Sequence, residues 1–375
     1  MKPKLRFNNF NNEWEEVELK NITSEISYGM NSASKEYDGE NKYIRITDID
    51  ENSNRYSYKD VVSPDGILED KFLVKDNDIL FARTGASTGK TYLYNSNDGK
   101  LYYAGFLIKA SIINHNSNFI FQQTKLNKYN NWIKIMSMRS GQPGINSQEY
   151  GSYKFSVTSI DEENKVSNFL SLLDKKIELQ SKKIEDLKLF KLYYYNIIFS
   201  SKLYDCFKLG DVVSCLDKKR KPISSELRKQ GIYPYYGANG IQDYIDDYIF
   251  DGCYVLLAED GGNFSDYNTK SIAQLAKGKI WVNNHAHVLV GDKIDTEFLF
   301  YQLEHMDIRQ YINGTSRSKL NQEDMMNILL QIPSIEEQKK ISKVFNTIEK
   351  KIYLEKIKYE KLTELKKGLM QSMFV

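Results

Sequence analysis

The stretch SIDEENKVSNFLSLLDKKIELQSKKIEDL, Ser159–Leu187, returns 175 residues later as SIEEQKKISKVFNTIEKKIYLEKIKYEKL, Ser334–Leu362. Twelve of the 29 aligned positions are identical, and most of the others keep their chemical character. Self-similarity at a fixed offset marks a duplicated structural unit. Each copy opens with Ser-x-x-Glu, Ser159 with Glu162 and Ser334 with Glu337. That spacing predicts a helix start with a reciprocal capping box. Both copies then keep one heptad register. Leu170, Ile177 and Ile184 occupy a positions of the first, with Leu173 and Leu187 at d; Phe345 and Ile352 occupy a of the second, with Ile348 and Leu362 at d. Even the polar interruptions coincide, Gln180 with Glu355 and Lys191 with Lys366. Polar groups in an apolar seam lower stability but penalise slipped pairings, so they set register. A helix of nearly 40 residues runs roughly 55–60 Å and needs a partner for its seam. The other copy is the obvious one, and the long intervening segment lets the chain return antiparallel.

The repeat extends beyond the helices. SGQPGINSQEY (Ser140–Tyr150) aligns with TSRSKLNQEDM (Thr315–Met325), placing Asn146 opposite Asn321. WEEVELKNIT (Trp14–Thr23) parallels YDCFKLGDVV (Tyr204–Val213), and DILFARTGAS (from Asp78) parallels YVLLAEDGGN (Tyr254–Asn263). The order is therefore domain, helix, domain, helix, with boundaries at 1–158, 159–203, 204–333 and 334–375. The expected fold is α+β: two heads with mixed β-sheets and helices, separated by two long helices in an antiparallel coiled coil, with a pseudo-twofold internal repeat. A duplicated scaffold with two divergent heads suits two readouts held at a set distance, although a coiled-coil scaffold that binds only proteins has the same outline.

Composition bounds this further. With 375 residues, 41% hydrophobic and 27% charged, the chain is an ordinary globular sequence long enough for several cores. Its three cysteines form no CxxC pair, and an odd count argues against a disulfide framework. The start lacks the apolar core of a signal peptide, and no run approaches membrane-spanning length. A cytoplasmic, non-membrane protein is expected. The formal net charge is only +2. Residues 204–333 carry 14 basic and 18 acidic side chains, so any polyanion bound there must meet a local cluster such as DKKRK, Asp217–Lys221.

One motif invites a different reading. DILFARTGASTGK (Asp78–Lys90) runs from an apolar strand-like segment into a glycine-rich loop ending Gly-Lys-Thr. A phosphate-binding P-loop needs four residues between its glycines and a helix after them. Here only Ala86, Ser87 and Thr88 separate Gly85 from Gly89, and TYLYN follows with the alternation of a strand. The second copy has no Gly-Lys. A nucleotide site at Lys90 is therefore disfavoured; if DNA is the partner, the preferred reading is a hairpin loop presenting Arg83, Thr84, Ser87 and Lys90 to it. Arginine offers paired donors to guanine, and lysine a phosphate contact. A solvated turn is the plain alternative.

Alternation in YIRITDI (Tyr43–Ile49) places Tyr43, Arg45 and Thr47 on one face of an expected strand. In VNNHAHV (Val282–Val288), alternation sets His285 and His287 on one strand face, where metal ligation is disfavoured. Asn283 and Asn284 carry amides that suit adenine edges. Tyr235, Asn239, Gln242 and Asn263 in the second head, with Gln142, Arg317 and Lys319 ahead of the two helices, complete the candidate set that would face DNA if DNA is the partner. No Asn/Asp-Pro-Pro-aromatic tetrapeptide of an adenine methyltransferase occurs, and no GxGxxG follows a strand. A binding role is expected, with no catalytic residue, metal or cofactor.

Several of these segments together resemble the specificity subunit of type I restriction–modification systems. IPSIEEQKKI (Ile332–Ile341) and VTSIDEENKV (Val157–Val166) resemble the helix starts of that family. PYYGANGIQDYIDDYIFDGCYVLLAEDGG (Pro234–Gly262) with IWVNNHAHVL (Ile280–Leu289) resembles one type of recognition domain. YIRITDI, DILFARTGASTGK and YYAGFLIK (Tyr102–Lys109) resemble another. The resemblance covers nearly the whole chain, departing slightly at Thr158, where the second copy has Pro333. It implies two target recognition domains, each reading one half of a bipartite, asymmetric double-stranded DNA target, with helices that set the spacer. It further implies docking of two modification subunits, adenine-N6 methyltransferases using S-adenosylmethionine, and of restriction (motor-nuclease) subunits using ATP and Mg. Those cofactors belong to the partners.

Overall fold

The computed structural model describes residues 1–375 apart from 52, 139–142, 201–203 and 315–317. The chain divides into two compact units, Met1–Gln180 with Lys358–Val375, and Ser181–Ile357. Two long helices, Ile160–Phe199 and Ile335–Met373, each contribute one half to each unit.

The two units repeat one sheet. In the first, antiparallel strands lie in the order Thr23–Tyr28, Leu107–Ile112, Asp78–Ala82, Thr91–Leu93. In the second, Val213–Cys215, Ala286–Gly291, Phe250–Ala258 and Ala273–Val282 occupy the corresponding places. There the sheet continues through a parallel step to Gln230–Gly237 and on to Gly240–Ile245, making it mixed. The central strands are largely apolar because both faces are covered, with Asp78, Lys109 and His287 as buried polar exceptions. Side chains alternate across a strand, so Ile79 and Phe81 enter one core and Leu80 and Ala82 another. Val255 and Leu257 are likewise separated from Leu256. Each unit also has a two-stranded ribbon beside its helix start, Glu15–Glu18 with Lys154–Val157 and Asp205–Lys208 with Leu329–Ile332.

Within each unit the halves of the long helices run antiparallel. Leu170, Ile184, Phe345, Ile348 and Ile352 are buried, while Leu173, Ile177, Leu187 and Leu362 are half-buried. Three of the four polar interruptions, Lys191, Lys366 and Glu355, are ion-paired. Lys191 Nζ lies 2.6 Å from Glu304 Oε1 and 2.5 Å from Glu349 Oε1. In the other unit Lys366 pairs with Asp174. Because 174 and 349, like 191 and 366, are 175 apart, the same cross-helix pair occurs twice. Lys183 Nζ additionally meets the buried Glu355 at 2.8 Å.

The repeat reaches the helix–head junctions. Gln123 Nε2 donates to Ser156 O at 2.8 Å, and Gln302 Nε2 donates to Gln331 O at 2.9 Å. Glu163 accepts from Asn116 N, and Gln338 accepts from Asp295 N. The expected reciprocal capping boxes do not form. The Glu162 carboxylate instead binds Arg6, Trp14 and Thr158, and Glu337 accepts from Tyr204 at 2.7 Å. Only half a box survives, Glu337 N donating to Ser334 Oγ at 3.4 Å. A charged or aromatic donor from the head outcompetes the local backbone amide. Asn146 does cap Ser147–Ser152, accepting from Glu149 N at 2.9 Å.

Candidate nucleic-acid interface

In the first unit the glycine-rich segment is a hairpin connection. Asp78–Ala82 and Thr91–Leu93 pair antiparallel on either side of it. Gly85 and Gly89 adopt φ of 76° and 91°, values favouring glycine. A Cβ at Gly89 would meet Ile133 at 2.7 Å. The glycines therefore serve a turn and a close packing contact, and the strand after them replaces the helix a P-loop requires. The loop is folded back: Gly85 N donates to Pro143 O, and Thr88 Oγ1 donates to Gly85 O at 2.7 Å. Lys90 Nζ donates to Ile49 O at 2.9 Å and lies 3.6 Å from Glu51. Its ammonium is held by the protein. The Arg83 guanidinium stacks 4.8 Å from the Tyr28 ring centroid. Burial would raise the Tyr28 phenol, but the Ser147 N–H and the Arg83 charge hold it below its usual value. Thr84 and Ser87 are half-exposed.

YIRITDI does not form the expected strand. Lys42–Ile44 is extended, and Ile46–Asp48 is a 3-10 turn. Asp48 is the cause: its Oδ2 accepts from Arg45 N at 2.8 Å and Arg45 Nε at 2.9 Å, and its Oδ1 accepts from Arg45 Nη2 at 2.8 Å. A side-chain carboxylate bonding its own backbone three residues back offers an alternative to the sheet ladder. Arg45 also bonds Asp60 at 2.9 Å, and Thr47 Oγ1 lies 3.5 Å from Asp48. Arg45, Thr47 and Lys90 thus converge on one turn, Arg45–Glu51.

In the second unit the candidates gather around three loops. The expected strand through VNNHAHV is interrupted by a turn at Asn283–His285, between strands ending at Val282 and starting at Ala286. His285 sits on the turn beside Asp260, Nδ1 to Oδ1 2.8 Å, whereas His287 is buried in the strand. Asn283 is 3% exposed; its Oδ1 accepts from His285 N, and its Nδ2 donates to Gln242 at 3.2 Å. Asn284 is exposed. Asn239 donates to Gly261 O at 2.8 Å and Asn263 to Ser271 O at 3.1 Å. Lys319 bridges to Asp260 through the backbone, and its Nζ is 3.9 Å from Glu259. Tyr235 is buried, with its hydroxyl receiving the Ile223 N–H at 3.0 Å. Gln142 and Arg317 lie outside the described residues.

Sequence reasoning missed an internal clamp here. Asp217 Oδ2 lies 2.6 Å from His287 Nδ1, its Oδ1 accepts from Val288 N at 2.9 Å, and Arg220 reaches it at 3.2 Å. Burial alone would raise the Asp217 carboxyl, but the His287 bond, the Val288 N–H and the Arg220 guanidinium lower it. Cys215 adjoins the group, its thiol pushed up to about 12, chiefly by burial. Cys215, Asp217 and His287 bring three potential metal-ligand atoms within 4.8 Å of one another. Yet His287 Nε2 donates to Leu320 O at 2.8 Å, its other nitrogen faces Asp217, and Arg220 adds positive charge. These groups satisfy one another as a hydrogen-bonded clamp. The signal available beforehand was the Asp217–Lys221 charge run, but its histidine partner lies 70 residues away.

The family described as type I restriction modification DNA specificity domain matches residues 11–189 and 202–364. The chain belongs to that family. It is 38% identical over 142 residues to a Haemophilus influenzae protein named as a type I restriction enzyme specificity subunit, across 37% of this chain and 36% of that protein. It thus matches little more than a third of that relative's length. A Methanocaldococcus jannaschii type I restriction enzyme specificity subunit is 21% identical over 350 residues, 81% of this chain and 80% of that one. The crystal structure of a type I restriction–modification S subunit from M. genitalium shares the fold, with a TM-score of 0.65 at 17% identity, covering 100% of this chain and 99% of that one. Among the described residues no helix is long and apolar enough to cross a membrane.

Proposed function

We propose that the chain is the DNA-reading specificity subunit of a type I restriction–modification enzyme and performs no chemistry itself. The heads, residues 1–158 and 204–333, each read one half of a bipartite, asymmetric duplex target in the cytoplasm. The helical segments 159–203 and 334–375 set the spacer and dock two adenine-N6 methyltransferase subunits, which bring S-adenosylmethionine. Motor-nuclease subunits, which use ATP and Mg, join that core.

The observation that carries this reading is one sheet used twice with unlike loops at the same place. After Ala82 the chain continues RTGASTGK, and after Ala258 it continues EDGGNFSD. An equal scaffold with unequal loops suits two different half-sites. Docking of two copies is supported by exposed apolar positions that recur at the helical offset: Leu179 with Leu354, and Phe190 with Leu365. Seam residues are occupied by the helix pair, so partners would use this outer set.

The test is selection of random duplexes by the chain bound to its methyltransferase subunit. Enrichment of two fixed blocks separated by a constant gap is expected. An unenriched pool would leave the protein-only scaffold as the better reading, and one contiguous block would contradict the division between heads.

A further inference from the structure

The DKKRK segment splits into inward and outward members. Asp217 and Arg220 face the protein: Arg220 Nη1 donates to Glu259 Oε2 at 2.9 Å, Ala286 O at 2.9 Å and Asn284 O at 3.3 Å. Lys218, Lys219 and Lys221 are exposed, and among the described residues none of their ammonium groups has a protein partner. The segment is strapped to the Asn283–His285 turn. Lys221 N donates to Val282 O at 3.4 Å, and Trp281 Nε1 donates to Lys221 O at 2.6 Å. Of the turn's two asparagines, Asn283 spends its amide on His285 and Gln242. Asn284 is exposed, its carbonyl held by Arg220, and among the described residues its side-chain amide has no partner.

We infer that this edge of the second unit contacts DNA, with Lys218, Lys219 and Lys221 on phosphates and Asn284 reading a base in the groove. The inference deepens, and rests on, the DNA-reading function proposed above. Charge decides the occupant. The surrounding segment 204–333 is acidic overall, but the nearby acids already have partners within the protein: Asp217 bonds His287 and meets Arg220, Glu259 bonds Arg220, and Asp260 bonds His285. Three unmatched ammonium groups remain, which suits a polyanion. Phosphate contacts fix register, and a side-chain amide held at a rigid backbone position can pair with adenine N6 and N7. Arg220 is then a positioning residue, acting through the Asn284 carbonyl.

The test uses the chain in complex with its methyltransferase subunit, on the selected duplex and on single-base variants of each half-site. Changing Lys218, Lys219 and Lys221 together to Ala should weaken all duplexes by a common factor and flatten the log K against log salt slope by about 2–3. Asn284→Ala should lose roughly 5- to 150-fold discrimination at one position of one half-site, with the other half-site read as before. A selective wild-type complex whose salt slope and discrimination survive these changes overturns the edge alone. Uniform weakening by Asn284→Ala overturns its reading role. A wild-type complex that selects no DNA overturns the underlying function and this edge with it.

Discussion

Replacing Lys191 by Met separates two ion pairs that the repeat makes look alike. Lys191 and Glu304 are both buried, at 9% and 7% exposure. Burial alone would lower the Lys191 ammonium, but Glu304 and Glu349 raise it above its usual value. Methionine preserves most of the packed stem, so the loss is electrostatic. Glu349 is exposed enough to turn to solvent, but Glu304 is not. Leaving one partner of a buried pair unmatched costs about 3–5 kcal/mol, which is roughly 10²-fold or more in a local opening constant. The expected readout is faster amide hydrogen exchange through Thr296–Glu304 and Tyr194–Phe199, where opening of this half of the helix pair is reported. The double change Lys191→Met with Glu304→Gln should recover much of the loss. The repeat mate behaves differently: in Lys366→Met the abandoned Asp174 keeps 30% side-chain exposure, so a cost near 1 kcal/mol is expected. Equal costs at the two positions, or no rescue by Glu304→Gln, would refute this account of burial.

Three further substitutions test the first unit. His115 lies 2.8 Å from the buried Glu163, whose hydrogen bond raises the imidazole above its ordinary value. A raised folded-state value means the contribution is fully present below about pH 6.5 and is lost as pH rises through the folded value. Chemical denaturation across that window should show stability of this unit declining with pH, and His115→Gln should remove the dependence; a pH-independent wild type would contradict the pairing. Arg45→Ala strips a buried carboxylate, Asp48, of its charged partner. A loss of about 1–3 kcal/mol in stability is expected, whereas Arg83→Ala, which removes a stacked guanidinium, should relax selectivity at one half-site by about 1–3 kcal/mol with a smaller effect on the denaturation midpoint. The reverse pattern would exchange their roles.

Much of the fold is legible because it repeats. The matched heptads, the shared interruptions and the paired asparagines Asn146 and Asn321 each occur twice, so one copy checks the other. The residue count between Gly85 and Gly89 suffices to reject a P-loop, and the observed hairpin gives those glycines their turn and packing roles. What sequence patterns misread is local competition from groups far along the chain. Alternation in YIRITDI yields to the Asp48 carboxylate. The Ser-x-x-Glu boxes yield to Arg6, Trp14 and Tyr204, donors more than 130 residues from the glutamates they reach. No period in a sequence reports such pairings. The same limit applies to the candidate interface, where polarity nominates Asn283 and Asn284 equally and only burial separates them.

In the proposed function the helices measure the distance between two readers. Asp174 pairs with Lys366 in one unit and Lys183 with Glu355 in the other, so residues 175–181 and 359–365 are matched heptads whose joint removal preserves those pairs and the seam. Seven helical residues are about 10.5 Å, or roughly three base pairs at 3.4 Å each. Methylome sequencing of cells carrying the shortened chain and its methyltransferase subunit should return the wild-type half-sites with a spacer changed by about three base pairs. An altered half-site, or an unchanged spacer in an active complex, would contradict the account.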